Sequence, residues 1–218
     1  MIKTVKNQSW GMYNWYLGEN QSRMEINLSN TFYWTNLLNL ICHETYPGHH
    51  TEATVKDNNL NKRKGYFETT ILLIYTPEIV IHEGIANLAE RMLFKPLELA
   101  EIMLENLCPN PKLEDDFNLI VAQNALKRDI SRIESNLAYN KHINHWSDQE
   151  LIKYVKKFEL FPEISIKQSL KFISDAIWAP YIFSYQGDSI ITKKFGNPPS
   201  KISYRKILSE QTLASDLT

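Results

Sequence analysis

The sequence predicts an all-α fold. Apolar residues recur at helical spacing through most of the chain, strand-like alternation is scarce, and caps and prolines fall where the periodic runs should start and stop. The first helix begins after Asn30 or Thr31 and runs through FYWTNLLNLICHE. In the second, Thr76 is the N-cap and Pro77 occupies the first turn, where a missing N–H costs nothing. It runs to about Phe94 and stops before Pro96. A long third helix follows Pro111, with Leu113, Phe117, Ile120, Ile130, Ile133 and Leu137 on one side. SDQE at 147–150 is a capping box, Ser147 with Glu150, opening a helix through Phe158. Ile166, Leu170, Ile173 and Ile177 mark another, and YIFSYQGDSIITKKFG and ISYRKILSE supply two more.

The 218 residues read as a single domain, 1–218, long enough to bury a substantial core. A net charge of -1 and a 22% charged fraction give no electrostatic reason to expect nucleic acid or a membrane surface. The longest apolar run, TTILLIYTPEIVIHEG, is broken by Pro77, Glu78 and His82, short of the roughly 18 residues that span a bilayer. The start, MIKTVKNQSW, lacks an apolar signal-peptide core. Two cysteines, Cys42 and Cys108, form no disulfide framework, so a cytoplasmic setting is expected.

The chemistry concentrates in CHETYPGHH, residues 42–50. His43 and Glu44 open like the zinc-peptidase helix motif H-E-x-x-H, yet Pro47 stands where the second histidine belongs. In a straight helix His43 and His49 point to different sides, and His43 and His50 align but lie about 10 Å apart along the axis. Neither suits one zinc bound at about 2.0–2.1 Å by each imidazole. Pro47 breaks the helix and Gly48 adopts conformations closed to other residues, so a kink there can return one late histidine to His43. Glu83 offers a third ligand, because it shares a stripe with Ile79, Ala86 and Glu90 and a carboxylate among apolar neighbours needs a partner. Two imidazoles, one carboxylate and an open position form the ligand set of catalytic zinc sites. Glu44, beside a ligand but unbound, is then the base that takes a proton from activated water.

These residues resemble the bacterial domain-of-unknown-function 885 family, itself similar to zinc metallopeptidases. His43-Glu44-Thr45-Tyr46-Pro47-Gly48-His49 matches its H-E-x-x-P-G-H, and Glu83-Gly84-Ile85-Ala86-Asn87-Leu88-Ala89-Glu90 matches its E-G-x-A-x-x-A-E. Ser184-Tyr185-Gln186-Gly187 is a shortened form of its S-Y-x-x-G. The resemblance runs from about YNWYLGENQSR to YQGDSII and implies a helical metallopeptidase-like domain with the metal between two helices. It implies one Zn2+ per chain held by His43, His49 and Glu83, with Glu44 as base and Tyr185 near the substrate. The family usually has Gln where Glu52 stands and often Trp where Ile85 stands. Its members carry an N-terminal helical half that is absent here, so this chain reads as the catalytic half. Weak activity and an exposed apolar patch that favours a homodimer are the corresponding expectations.

The expected activity is zinc-dependent hydrolysis of amide bonds, in a peptide or another acyl substrate. The alternative is a non-catalytic metal- or peptide-binding fragment. His50 is the alternative ligand to His49 or a neighbour of the ligands, and Glu90 is a candidate to orient a ligand imidazole. His82 points about 100° from Glu83 and reads as structural. His142 and His145 read as surface residues, and Cys42 as a weak candidate for a soft ligand. Arg128, Asp129, Arg132 and Glu134 read as a charged outer face.

Overall fold

The chain opens with a departure from the all-α expectation. β1 (Ile2–Val5), β2 (Met12–Gly18) and β3 (Gln21–Asn27) form a sheet in the order β1-β3-β2, with β3 parallel to β1 and antiparallel to β2. The β2–β3 turn uses Gly18, Glu19 and Asn20, all at positive φ. Alternation is blurred here because polar residues occupy buried positions. Glu25 accepts from Trp15 Nε1 at 3.0 Å and faces Arg23 Nε at 3.1 Å. The Asn27 amide donates to the carbonyls of Gln8 and Trp10 at 2.9 and 2.8 Å. Satisfied in this way, they replace the apolar side chains that would have signalled strands.

The rest of the protein is helical. The computed structural model describes residues 1–108 and 117–218, and within 117–142 the side chains at 119, 123–125 and 127–129 lie outside it. The expected start after Pro111 and the core position Leu113 therefore fall outside the described residues, as do the side chains of Arg128 and Asp129. α1 (Trp34–Glu44) and α3 (Glu78–Leu93) match expectation, with Pro77 at the N-cap rather than in the first turn. Between them lie α2 (His49–Lys56) and a π-helical turn at Asp57–Lys62. Pro96 does not merely end a helix; it opens α4 (Pro96–Leu107), where the Lys95 N–H donates to Glu98. α5 (Phe117–His142) is followed by α6 (Asp148–Lys156), whose Ser147–Glu150 capping box forms as read. α7 (Glu163–Ser174) stops before Ile177, which is exposed. A 3-10 segment at Pro180–Gln186 leads into α8 (Gly187–Phe195), and α9 (Lys201–Ser209) follows.

α3 is the central element. Ile81, Ile85 and Leu88 on it pack with Ile191 of α8 and Tyr204 and Ile207 of α9. A separate cluster joins α5, α6 and α7 through Leu137, Leu151, Val155, Ile166 and Ile173, with Ile182 of the 3-10 segment. α3 and α8 meet backbone to backbone. A Cβ on Gly187 would lie 1.7 Å from the Val80 carbonyl oxygen, and one on Gly84 would lie 2.5 Å from the Gly187 carbonyl carbon. This approach sets the segment before α8 beside Glu83.

Gly187→Ala is accordingly expected to destabilise the fold by about 3 kcal/mol, because backbone, not a flexible side chain, must move to admit the methyl group. Urea denaturation measures it, and an unchanged midpoint would contradict the close crossing.

Candidate metal centre

The Pro47-Gly48 break does what the spacing required. α1 ends at Glu44, the Tyr46–Pro47 peptide is cis, and the Gly48 N–H donates to the Cys42 carbonyl at 3.1 Å. A Cβ on Gly48 would fall 2.0 Å from the His43 carbonyl oxygen, so only glycine lets the chain fold back this tightly. α2 then returns toward α1, and the His43 and His49 rings meet edge to face with centroids 4.6 Å apart. The late histidine in the site is His49. His50 turns away, with Nδ1 2.7 Å from Ser22 Oγ and its ring against Tyr46. The Tyr204 hydroxyl lies 3.2 Å from the Pro47 carbonyl oxygen and 2.9 Å from that of Ile85, tying the break to α3.

α3 delivers Glu83, which is 1% exposed. Its Oε1 lies 3.1 Å from His49 Nε2 and its Oε2 3.6 Å from His43 Nε2. Burial pushes the carboxyl pKa up, but the imidazoles of His49, His43 and His82 outweigh it and hold it well below the usual carboxylate range. One donor atom from each of His43, His49 and Glu83 lies within 4.8 Å of the others. Tetrahedral ligands at about 2.0–2.2 Å from zinc sit about 3.3 Å from one another. The two observed separations bracket that value, so the donor set fits a metal ion. Tyr181 donates to Glu83 Oε1 and orients it.

Glu44 borders this cluster without joining it. It is buried, and its Oε2 has no hydrogen-bond partner among the described residues. Burial, opposed by His49 and reinforced by Glu83, with the Asn14 backbone lowering it slightly, brings its pKa up to about 7. A carboxylate poised there both takes and returns a proton near neutrality. The side-chain amide of Asn14 in β2 donates to the Glu44 carbonyl at 2.7 Å, fixing the end of α1 against the sheet. Tyr185 lines the same cleft, a space of about 1220 Å³. Burial and the charges of Glu83, Glu134 and Glu44 push its hydroxyl pKa well above 10, so it remains a donor.

A second group, His49, Glu52 and His82, also has the spacing of metal ligands. Here the positive charge is already supplied by the protein. Lys56 Nζ lies 2.7 Å from Glu52 Oε1, and His82 Nδ1 lies 2.8 Å from Glu52 Oε2. The His82 ring stacks on His49 at 4.0 Å between centroids. The network reads as a buried ion cluster against the His49 ring, in which His82 pairs with Glu52. Glu90 is buried, its Oε2 makes no hydrogen bond, and it lies outside both ligand groups. His142 meets the Ile173 carbonyl at 2.6 Å and His145 is exposed, so neither enters the site.

Three site residues escaped the sequence reading. Tyr181 precedes Tyr185 by four residues, and that spacing is the one sequence signal that could have found it. Tyr13 and Asn14 come from the unforeseen sheet. Tyr13 lines the cleft, and burial and the charges of Glu83 and Glu44 raise its pKa. No family model, curated protein or solved structure matches the chain.

Glu52 gives the network a pH signature. Burial pushes its carboxyl up, but Lys56 and His82 outweigh it and bring its pKa down to about 2 from 4.5. Its contribution is therefore complete above about pH 4.5 and is lost as pH falls toward 2. Glu52→Gln takes the carboxylate away from His82 and leaves Lys56 only its longer contact with Glu78, and is expected to cost about 3 kcal/mol at pH 7. Its stability is also expected to fall less than that of wild type between pH 4.5 and 2, read from urea midpoints across that range. Parallel pH profiles would exclude Glu52 as the anchor.

Proposed function

We propose that the protein is a zinc-dependent hydrolase of peptide amide bonds. The observation that carries this reading is the convergence of His43, His49 and Glu83 beside a carboxylate, Glu44, that is buried, near neutrality and outside the ligand set. The motif resemblance points the same way. Zinc in this donor set supplies Lewis acidity, acidifying water and polarising a carbonyl oxygen. Glu44 accepts the water proton on its unpartnered Oε2 and passes it to the amide nitrogen as the C–N bond breaks, leaving a carboxylic acid and an amine. Tyr185 donates to the carbonyl oxygen as that atom gains charge. Tyr181 holds Glu83 in place throughout.

The strand β2 favours peptides over other acyl substrates. The Asn27 N–H donates to the Gly11 carbonyl at 2.8 Å, so in this antiparallel register Tyr13 and Trp15 direct their backbone groups to β3. Met12, Asn14 and Tyr16 direct theirs to the other edge, which borders the cleft and pairs with no strand among the described residues. An extended peptide can hydrogen-bond along such an edge, whereas a small ester or amide has no backbone to offer.

Wild-type protein loaded with zinc and desalted is expected to retain about one ion per chain by elemental analysis. His43→Ala and His49→Ala are expected to lose it, and His50→Ala to keep it. Zinc retained by neither wild type nor any variant would end the proposal. Glu44→Gln is expected to retain zinc while peptide hydrolysis falls by about 10²–10⁴-fold. Metal loss in that variant would instead make Glu44 a ligand.

A further inference from the structure

The acidic groups around the cleft are mostly paired within the protein. Glu52 and Glu78 share Lys56, and Asp57 and Glu19 share Lys62. Glu83 faces the imidazoles, and Glu44 is the proposed base. Glu134 is different. The sequence placed it on a charged outer face of α5, yet its side chain turns inward and lines the cleft. Its Oε1 accepts from the Ser169 hydroxyl at 2.8 Å, and no cation among the described residues pairs with it. One neutral hydroxyl does not replace the hydration that a carboxylate loses on burial, and the pKa of Glu134 is raised for that reason.

Its place relative to the metal centre gives this carboxylate a use. Glu134 and Tyr185 line the same cleft as His43, Glu44, His49 and Glu83. A substrate group held at Glu134 therefore shares one cavity with the proposed metal centre. The wall around Glu134 adds hydrogen-bonding side chains, Ser165, Gln168 and Ser169. We propose that Glu134 is a specificity determinant that receives an ammonium group of the substrate, either the free amino terminus or a lysine side chain. The identity of the guest follows from charge: an ammonium donates up to three hydrogen bonds and supplies a counter-charge that no described residue gives this half-buried carboxylate.

The inference rests on the peptide-hydrolase reading, but its test reads binding and needs no turnover. Trp10 and Trp178 line the cleft, so their fluorescence reports occupancy. Four probes are titrated into wild-type protein: Ala-Ala-Ala amide with a free amino terminus, its N-acetyl form, N-acetyl-Ala-Lys-Ala amide and the norleucine analogue of that peptide. The free-amine or the lysine peptide is expected to bind at least about tenfold more tightly than its uncharged counterpart, as for a charge-assisted hydrogen bond. Which of the two does so identifies the source of the ammonium. Glu134→Gln is expected to abolish the preference and Glu134→Asp to keep part of it. Equal affinities throughout, no saturable binding of any probe, or a preference that survives Glu134→Gln would each overturn the proposal. Amine-selective binding by a zinc-loaded protein that cleaves no peptide would sink the hydrolase reading while leaving Glu134 in this role.

Discussion

The burial of the Glu83 carboxylate is the constraint around which the site is organised. Within apolar surroundings on α3 it must meet compensating charge or donors, since the cost of leaving it bare exceeds any packing gain. Each neighbouring element contributes one. α1 brings His43, α2 brings His49, and the segment before α8 brings Tyr181. An arrangement that satisfies a buried anion with two imidazoles is also an arrangement in which a dication can replace the protons on those rings. The same pressure that stabilises the fold therefore builds a ligand set.

Two backbone approaches make this convergence possible, and both depend on glycine. At Gly48 the chain passes over the His43 carbonyl with no room for a Cβ, which turns a six-residue spacing unsuited to a straight helix into two facing rings. At the Gly84–Gly187 contact α3 and α8 approach until backbone touches backbone, which carries Tyr181 and Tyr185 to the Glu83 side of α3. Tyr204 links the two features, since its hydroxyl reaches the Pro47 turn and the Ile85 carbonyl together. The site is thus a property of three helix packings rather than of one motif.

Behind the ligands, the Lys56–Glu52–His82 cluster holds His49 by ring stacking. A buried ion cluster is weak evidence for stability but good evidence for a fixed geometry, because few alternative arrangements satisfy all three charges. On the other side β2 closes the cleft, anchored to α1 by Asn14. Burial pushes both carboxyls up, and the neighbouring charges then separate them. Glu44, without a cation of its own, rises toward neutrality, whereas Glu83, surrounded by imidazoles, stays ionised. Two carboxylates at the same histidines thus differ in charge because their surroundings differ.

How much of this was legible in the sequence depended on the range of the interaction. Helix periodicity, the Ser147–Glu150 cap and the break at Pro47-Gly48 are local, and they appear in the structure where the residues indicated. His43, Glu83 and one late histidine were nameable because proline, glycine and a misplaced carboxylate each signal a local exception to helical rules, and the motif resemblance singled out His49 from His50. Pro96 misled because proline punctuates both the end and the start of helices, and α4 begins on it. The sheet was hidden because Glu25 and Asn27 occupy inward positions, which removes the alternation that betrays a strand. Glu134 looked like solvated charge, since nothing within a few residues of it reveals that α7 covers it with Ser169. The sequence by itself determined which residues could ligate a metal and where the helix had to break. Only the tertiary structure decided which histidine turned inward, which tyrosine met Glu83 and which strand bordered the cleft, because those choices rest on contacts between segments far apart in the chain.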